Sequence, residues 1–518
     1  MKIILILITI IGLVLPSKQA LHMFQQNRYE VKRYTIWLRS QIKNSETIAI
    51  SLLTIVVSFL LAVFVGNLVG AIIILLYSLY MLEREVKRTY IKPLVITGRV
   101  MRQIIVLVII YIVLLLLVNV LDINFVMYTL IFSIFIPYLA IYLVALITSP
   151  IEYLFREMFK NKAKAILKAN PSLIKVGITG SYGKTSSKNI VNEVLGEAYY
   201  SLASPASFNT PMGLTLTVRN DLKNTHEVFI AEMGADKVGD IVELVNLINP
   251  KYAIITSIGP QHLMTFKSIE NIIKEKMALV EMLPAAGIAI LNKDNEYIKN
   301  YQVKNPVKVI SYGLISPDVD YFADEISYSI NGSSFLIKHD GKAYPFETRL
   351  LGEHNVSNIL SAVALGHQLG IAWEKLIKAV AHVNFIEHRL ELKKINGRTF
   401  IDNAFNSNPE GANMSLKVIS EMDNQRIIIT PGMIDLGVIQ NDENYKFGYN
   451  MLDKVDIAIL VGKNQTKPIY DGLVASGFKT ENIHVFDTVR EALAYAYSIT
   501  DASDVILLEN DLPDAFSN

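Results

Sequence analysis

The chain has 518 residues, 51% of them hydrophobic and 19% charged, with a net charge of +1. That length exceeds one domain of ordinary size, and the near-zero charge offers no electrostatic footprint for nucleic acid. The absence of cysteine excludes disulfides, cysteine-ligated zinc or iron–sulfur centres and a cysteine nucleophile. The apolar excess sits in residues 1–150, and the remainder reads as ordinary globular sequence.

Five apolar runs fill that first part: Ile3–Leu15, Thr47–Val65, Leu68–Leu82, Ile104–Leu121 and Phe125–Ile147. A helix needs about 20 apolar residues to cross a bilayer. The fourth and fifth runs are clear spans. Only Gly66-Asn67 separates the second from the third, so the pair is either two spans joined by a tight turn or one long, kinked, partly re-entrant segment. The first run, with Lys2 before it and Pro16-Ser17-Lys18-Gln19-Ala20 after it, reads as a signal peptide or as a span. Charge favours the span. Lys18, Arg28, Lys32, Arg33, Arg39 and Lys43 form one basic stretch, and Arg84, Lys87, Arg88, Lys92, Arg99 and Arg102 form another. The other two connections carry no Lys or Arg, and basic loops stay in the cytoplasm. Five uncleaved spans place both basic stretches and residues 150–518 on the cytoplasmic side. Cleavage would put the large remainder outside. No run contains a central charge, which speaks against a transport path. The expectation is a multi-pass domain of the cell membrane over residues 1–150.

Next comes Ile174-Lys-Val-Gly-Ile-Thr179, a short apolar strand, then Gly180-Ser181-Tyr182-Gly183-Lys184-Thr185-Ser186 and a helical stretch, Ser187–Gly196. Strand, glycine-rich turn and helix are the setting of a phosphate-binding loop. Glycines let backbone N–H groups crowd around phosphate oxygens, and the helix N-terminus adds partial positive charge. Lys184 can reach the β- and γ-phosphates, and the Thr185 hydroxyl can bind Mg²⁺. A strict GxxxxGK[ST] pattern needs glycine at position 178, where Ile178 stands; the glycines fall at 177, 180 and 183.

Further segments follow in order. Ser207-Phe-Asn209-Thr-Pro-Met-Gly213 is an Asn-containing turn before a helix of small residues. Val228-Phe-Ile-Ala-Glu232 is an apolar strand ending in a carboxylate, where nucleotide enzymes place a metal ligand. Ile254–Gly259 ends shortly before His262, Ile272–Leu279 carries Lys276, and Ala289-Ile-Leu-Asn292 leads to Asp294. Leu351-Gly-Glu-His354-Asn355-Val-Ser-Asn358 opens an Ala-rich helix, and Glu387-His388-Arg389 precedes Phe400-Ile-Asp402-Asn403-Ala-Phe405-Asn406-Ser-Asn408-Pro409. Each alone has an ordinary structural explanation: a helix cap for Glu232, Asn355 or Asn358, a packed histidine for His262, a solvated lysine for Lys276. The first five of these segments, at strand ends and helix starts and in one order, lie where α/β enzymes bind ligands.

Together they resemble the Mur ligase family, which adds amino acids to peptidoglycan precursors during cell-wall biogenesis, and within it the D-alanyl-D-alanine-adding branch. The resemblance covers roughly residues 150–518. It implies an α/β fold with a phosphate-loop (P-loop) central domain over 151–390 and a Rossmann-like C-terminal domain over 391–518, behind a multi-span α-helical membrane domain in place of the usual N-terminal UDP-binding domain. It implies that Lys184, Lys276 and His262 are catalytic. Gly180, Ser181, Gly183, Lys184, Thr185, Ser186, Asn355, Asn358, Arg389 and Asp402 would hold ATP, and Asn209 would contact substrate. Thr185 and Glu232 would hold one Mg²⁺, and His262 and a carbamylated Lys276 the second. Two departures stand out. Asn403 and Phe405 replace the second Asp and the Tyr of the branch's DDxYNxNP segment, and the terminus, Leu508-Glu-Asn510-Asp-Leu-Pro513, lacks the KGS-type ending.

The expected function is an ATP-dependent, ADP-forming ligase that makes an amide through an acyl phosphate. It would join an amino acid or dipeptide to a carboxylate on a membrane- or lipid-linked cell-envelope precursor, with the bilayer as a further partner. A membrane-bound ligase like poly-γ-glutamate synthase and an ATP-binding scaffold for cell-wall enzymes are the competing readings.

Overall fold

The computed structural model describes residues 2–44, 46–87, 93–120, 123–206, 208–261, 263–329, 331–385, 389–404, 409–433, 436 and 439–510. The chain forms two compact units, Met1–Phe159 and Lys160–Asn518.

The first unit is helical: α1 (Lys2–Gln26), α2 (Val31–Asn44), α3 (Glu46–Phe64), α4 (Asn67–Lys87), α5 (Gly98–Val120), α6 (Ile123–Phe132) and α7 (Ile136–Ala169), the last running on into the second unit. Within it α3 and α4 meet at a tight turn whose Gly66 has φ +139°. A Cβ on Gly70 would lie 2.6 Å from the Ser58 carbonyl, so the two backbones touch through a small residue, as apolar helices without a hydrophobic driving force between them commonly do.

The run Phe125–Ile147 is not one helix. It breaks at residues 133–135 between α6 and α7. Pro137 explains the break: its ring would clash with the carbonyl of Ser133 in a continuous helix, whereas the first turn of α7 accommodates it. Where five spans were expected, four helices among the described residues are long and apolar enough to cross a membrane, Lys2–Gln26, Asn67–Glu85, Gly98–Leu117 and Ile136–Ala169; the second run, Thr47–Val65, falls short as the apolar stretch Ala49–Phe64.

The second unit begins with β1 (Ile174–Thr179), α8 (Lys184–Gly196), β2 (Ser201–Ala203), α9 (Pro211–Asn220), β3 (Val228–Glu232), α10 (Asp240–Ile248), β4 (Tyr252–Ile255), α11 (Leu263–Phe266), α12 (Ile269–Glu281), β5 (Ile288–Asn292), α13 (Glu296–Lys299) and β6 (Lys308–Gly313). It continues through β7 (Tyr321–Ser329), β8 (Gly332–His339), β9 (Lys342–Thr348), α14 (Glu353–Gln368) and α15 (Trp373–Ala381). The nine strands form one sheet, ordered β2-β3-β1-β4-β5-β6-β7-β8-β9, parallel as far as β7 and antiparallel across β8 and β9. Its parallel strands are apolar on both faces because helices cover both. Val176, Ile178, Ile254 and Ile290 face α8 and α14, while Phe229, Ala231, Ala253 and Leu291 face α10 and α12. The chain steps out to β2, returns through β3 and then passes β1 to reach β4, so the carboxyl ends of β1, β3 and β4 meet at the point where the strand order reverses. Open α/β sheets bind ligands in that crevice.

A second sheet holds β10 (Glu391–Ile395), β11 (Arg398–Asn403), β12 (Arg426–Thr430), β13 (Ile457–Val461), β14 (Ile483–Phe486) and β15 (Val505–Glu509), in the order β10-β11-β15-β12-β13-β14, with only β10 antiparallel. Helices α16 (Pro409–Ser420), α17 (Gln440–Tyr449), α18 (Lys467–Ser476) and α19 (Val489–Ile499) flank it. Two α/β sheets, the first with its phosphate-loop helix directly after β1, match the α/β expectation for residues 150–518.

Candidate active site

β1 ends at Thr179, and the glycine-rich turn delivers the chain straight into α8, whose cap Gly183 adopts φ +79°. That left-handed geometry favours glycine. At Gly180 the constraint is space: a Cβ there would run into Thr256 Oγ1 and stand 2.9 Å from the Ser257 carbonyl. Thr256 and Ser257 follow β4 and clamp the loop. Thr256 Oγ1 donates to the Tyr182 carbonyl (2.6 Å), and Ser181 N–H donates to the Ser257 carbonyl (2.7 Å). Gly180→Ala is expected to displace this clamp at a cost of about 1–3 kcal/mol. Isothermal titration with MgADP checks it, since the loss should appear in nucleotide affinity.

Lys184 Nζ donates to the carbonyls of Gly180 (2.7 Å) and Ser181 (2.9 Å). Burial lowers its pKa; Glu232 opposes that shift and Arg389 adds to it. Thr185 Oγ1 donates to Glu232 Oε1 (3.2 Å), and Asn209 Nδ2 donates to the same oxygen (3.1 Å). Glu232, at the end of β3, is 1% exposed, and its Oε2 accepts no hydrogen bond. Lys188 Nζ is 3.6 Å from that oxygen and donates to the Ala206 carbonyl (2.7 Å). Thr185, Asn209 and Glu232, which the resemblance pointed to from three separate segments, thus share one carboxylate.

Lys276 lies in α12 and is 2% exposed. Burial brings its pKa down to about 7, Lys184 pushes in the same direction, and Glu275, Asp236 and Asp240 oppose them. Its neighbour Glu275 accepts from the N–H groups of Gly239 (2.8 Å) and Ile241 (2.6 Å). It caps α10 and ties α12 to that helix's first turn, a contact that no local sequence pattern signals. His262 lies outside the described residues, as do Glu387, His388, Phe405, Asn406 and Asn408.

The nucleotide residues expected from the C-terminal half divide. Asn358 Oδ1 accepts from Ser187 Oγ (2.7 Å), so α14 braces the phosphate-loop helix. Asn355 Nδ2 donates to the Leu351 carbonyl (2.8 Å), and its buried Oδ1 has no partner. Arg389 Nη1 donates to Ser186 Oγ (3.1 Å), bringing the link between the two sheets onto the phosphate loop. Arg389→Gln is expected to weaken ADP binding about tenfold, the worth of one charge-assisted hydrogen bond, with little change in melting temperature. Asp402 stands apart on β11. Its carboxylate accepts from Lys393 Nζ (2.6 Å) and from the Ala404 N–H (3.1 Å).

Beside Glu275, four further residues receive no role from the sequence motifs: Lys188, Thr256, Ser257 and Glu509. Lys188 lies one turn beyond Lys184 on α8, so helical spacing carried a signal for it. The Thr256-Ser257 clamp carried none. Nor did the fully buried Glu509, which pairs with Asn403 Nδ2 at 2.8 Å and whose pKa burial raises to about 8. Asn403 in turn accepts from the N–H of Leu390 (3.3 Å), the residue after Arg389.

A parallel sheet with a glycine loop and lysine after β1, a carboxylate after β3 and a buried lysine of lowered pKa on a following helix define an α/β protein of the phosphate-loop class. Residues 178–366 match the Mur ligase middle domain, and residues 388–509 match the Mur ligase glutamate ligase domain. The chain belongs to the Mur ligase family. It is 31% identical over 293 residues to the UDP-N-acetylmuramoyl-tripeptide–D-alanyl-D-alanine ligase of Bacillus subtilis, covering 56% of this chain and 62% of that one. It is 27% identical over 264 residues to the Escherichia coli protein of the same name, covering 51% and 58%. The chain thus spans about three-fifths of the length of these curated relatives. Its fold is that of MurF from Acinetobacter baumannii (TM-score 0.61, 22% identity, 69% of this chain and 78% of that one). It is equally that of MurF ligase from Thermotoga maritima in complex with ADP (TM-score 0.60, 21% identity, 69% and 80%).

Proposed function

We propose that the chain is an ATP-dependent, ADP-forming ligase that joins an amino acid or dipeptide to a carboxylate on a membrane- or lipid-linked cell-envelope precursor. One observation carries the chemistry: Lys184, Thr185, Glu232 and the low-pKa Lys276 converge at the switch point of a Mur ligase middle domain. The N-terminal helices support the location. They precede the two matched domains, residues 178–366 and 388–509, and four of them are long and apolar enough to cross a membrane.

The acceptor carboxylate oxygen attacks the γ-phosphorus of ATP; the bond to the β,γ-bridging oxygen breaks and ADP leaves. An amine nitrogen then attacks the acyl carbon of the resulting acyl phosphate. A proton leaves the nitrogen, phosphate leaves the carbon, and an amide remains. Lys184 neutralises phosphate charge that would otherwise repel the attacking carboxylate. Backbone N–H groups of the glycine turn and of α8 orient the phosphates.

The donor set fits magnesium, a hard cation that takes oxygen ligands. The Thr185 hydroxyl and the Glu232 carboxylate are adjacent, and Glu232 Oε2 has no hydrogen-bond partner despite complete burial. When bound there, Mg²⁺ supplies charge neutralisation at the transferred phosphoryl group. Lys276, neutral in a large fraction near pH 7, fits carbamylation, which needs a free amine; with His262 the carbamate would supply ligands for a second ion. Asn355, Asn358 and Arg389 hold the nucleotide side as the second sheet closes on the first. Asn209, beside Glu232, faces the acceptor.

Phosphate release by the full-length protein tests this reading, with a muramoyl tripeptide as acceptor and D-alanyl-D-alanine or single amino acids as amines. The proposal expects release that requires both acceptor and amine. ADP binding without release for any acceptor would favour the scaffold instead.

A further inference from the structure

At one end of the apolar window of α5, the first unit gathers an unusual set of charges. Arg99 and Arg102 lie in the first two turns of that helix, and both face one carboxylate, Glu152 of α7, at 3.7 and 2.7 Å. Glu152 is buried, and the two arginine side chains are about one-third exposed. Arg156, one turn beyond Glu152, is within electrostatic reach of Arg99. Three arginines against one glutamate leave the cluster with an excess of two positive charges.

The guanidinium planes are pinned by aromatic faces, Arg99 over Tyr29 at 3.9 Å and Arg102 over Phe155 at 4.4 Å. Tyr29 is itself fixed in a left-handed turn, φ +59°, and the segment before α5 is tied to α1 by the paired hydrogen bonds of Gln25 with Val95. The arginines are therefore held as flat, oriented plates. Their hydrogen bonds are nevertheless nearly all unmade. Arg102 Nε donates to Glu152, and no other hydrogen bond to either guanidinium is present among the described residues. Beside them Gln103 is 1% exposed, and neither its amide nitrogen nor its amide oxygen has a partner. A buried amide left without hydrogen bonds costs about 1–3 kcal/mol, so a site that keeps one is built for something that completes it.

We infer that Arg99, Arg102, Arg156 and Gln103 form a binding site for the phosphate headgroup of an anionic lipid. Oriented guanidinium groups match phosphate oxygens with two parallel hydrogen bonds each. The first-turn N–H groups of α5 add partial positive charge on the same side. A phosphate oxygen can accept from the Gln103 N–H. The lipid source follows from what adjoins the charges. Met101 and Ile105 on the same helix are 47% and 52% exposed, giving acyl chains an apolar shelf that a free phosphate ion does not use. The inference rests on the membrane-linked acceptor proposed above, and it assigns recognition of that acceptor's anionic head to the helical unit.

The test uses the full-length protein in neutral detergent with three probes: dihexanoyl phosphatidic acid, dihexanoyl phosphatidylcholine and inorganic phosphate. Calorimetric or native mass-spectrometric titration should show saturable binding of the phosphatidic acid alone. Arg99→Gln, which leaves the Arg102–Glu152 pair intact, should weaken it at least about tenfold. Arg99→Gln/Arg102→Gln/Glu152→Gln, which leaves no buried carboxylate unpaired, should abolish it. Gln103→Leu should weaken it with no loss of melting temperature. Undiminished binding in the triple variant would overturn the site, and inorganic phosphate binding as tightly as the phosphatidic acid would overturn its assignment to a lipid. ADP affinity, measured on the same samples, reports the ligase unit separately. No phosphatidic acid binding by the unsubstituted protein, with normal ADP binding and phosphate release from a soluble acceptor, would sink this inference and leave the ligase reading standing.

Discussion

Lys276→Ala is expected to abolish ATP-dependent phosphate release while leaving ADP affinity within a factor of about three, and a short carboxylic acid such as acetate should restore part of the activity. A lysine in ordinary solvated surroundings is fully protonated at neutral pH. Lys276 sits in the crevice at 2% exposure with its pKa brought down to about 7, by burial first and by Lys184 second. A neutral buried amine combines with CO₂; a cationic one does not. Alanine removes the amine and leaves a space that a small carboxylate can enter. Because the side chain is not among the groups that touch the phosphate loop, nucleotide binding should survive.

The pH dependence has a definite sign. Below about pH 7 Lys276 is protonated in the folded state and cannot be carbamylated, so activity should fall as pH drops through that value and rise with added bicarbonate above it. Between pH 7 and the ordinary lysine range the unfolded chain binds a proton that the folded chain does not. This residue therefore makes stability increase with pH across that window. Rate–pH profiles of the wild type, and of Lys276→Ala rescued by acetate, separate the two effects. The rescued variant should lose the inflection near 7.

Glu232→Ala is the second large effect, and it should act on stability as well as activity. The carboxylate is buried against Lys188, itself only 2% exposed, and accepts from Thr185 and Asn209. Removing it strands a buried ammonium, which costs about 3–5 kcal/mol. It also removes the oxygens proposed to hold Mg²⁺. Chemical denaturation should show that loss, and activity should be undetectable. Glu232→Gln separates the causes: it keeps the shape and the Thr185 contact, so it should recover part of the stability while the rate stays down by about a hundredfold or more, the usual size of a lost charge-stabilising group. A Glu232→Ala protein as stable as the wild type would mean that Lys188 carries no charge there.

Much of this site was legible in the sequence because its parts are local. A strand, a glycine turn and a helix start are contiguous, and so Gly180, Gly183, Lys184 and Thr185 could be read from spacing. Glu232 was legible as the last residue of an apolar strand, a position that parallel sheets direct toward the ligand crevice. Lys276 was visible only through the family resemblance, since nothing in its neighbours betrays a pKa near 7; that value comes from burial and from Lys184, 92 positions earlier. The clamp by Thr256 and Ser257, the Glu275 cap on α10 and the Asn403–Glu509 pair were illegible for the same reason. Each joins segments far apart in the chain through backbone groups or through strand pairing that no local pattern encodes. In the helical unit, run length misled because hydropathy does not register the backbone donor missing at Pro137. The run Phe125–Ile147 is uniformly apolar, yet it contains a break.

Isotope transfer from the acceptor tests the central claim most directly. The full-length protein is given MgATP, an amine and an acceptor whose carboxylate oxygens are ¹⁸O-labelled, and the inorganic phosphate is analysed by mass spectrometry. Attack of the acceptor carboxylate on the γ-phosphorus carries one labelled oxygen into the phosphate, together with one ADP per amide formed. That result is expected, and Lys184→Met should suppress it entirely. Phosphate bearing no label, or label appearing in AMP, would contradict the account.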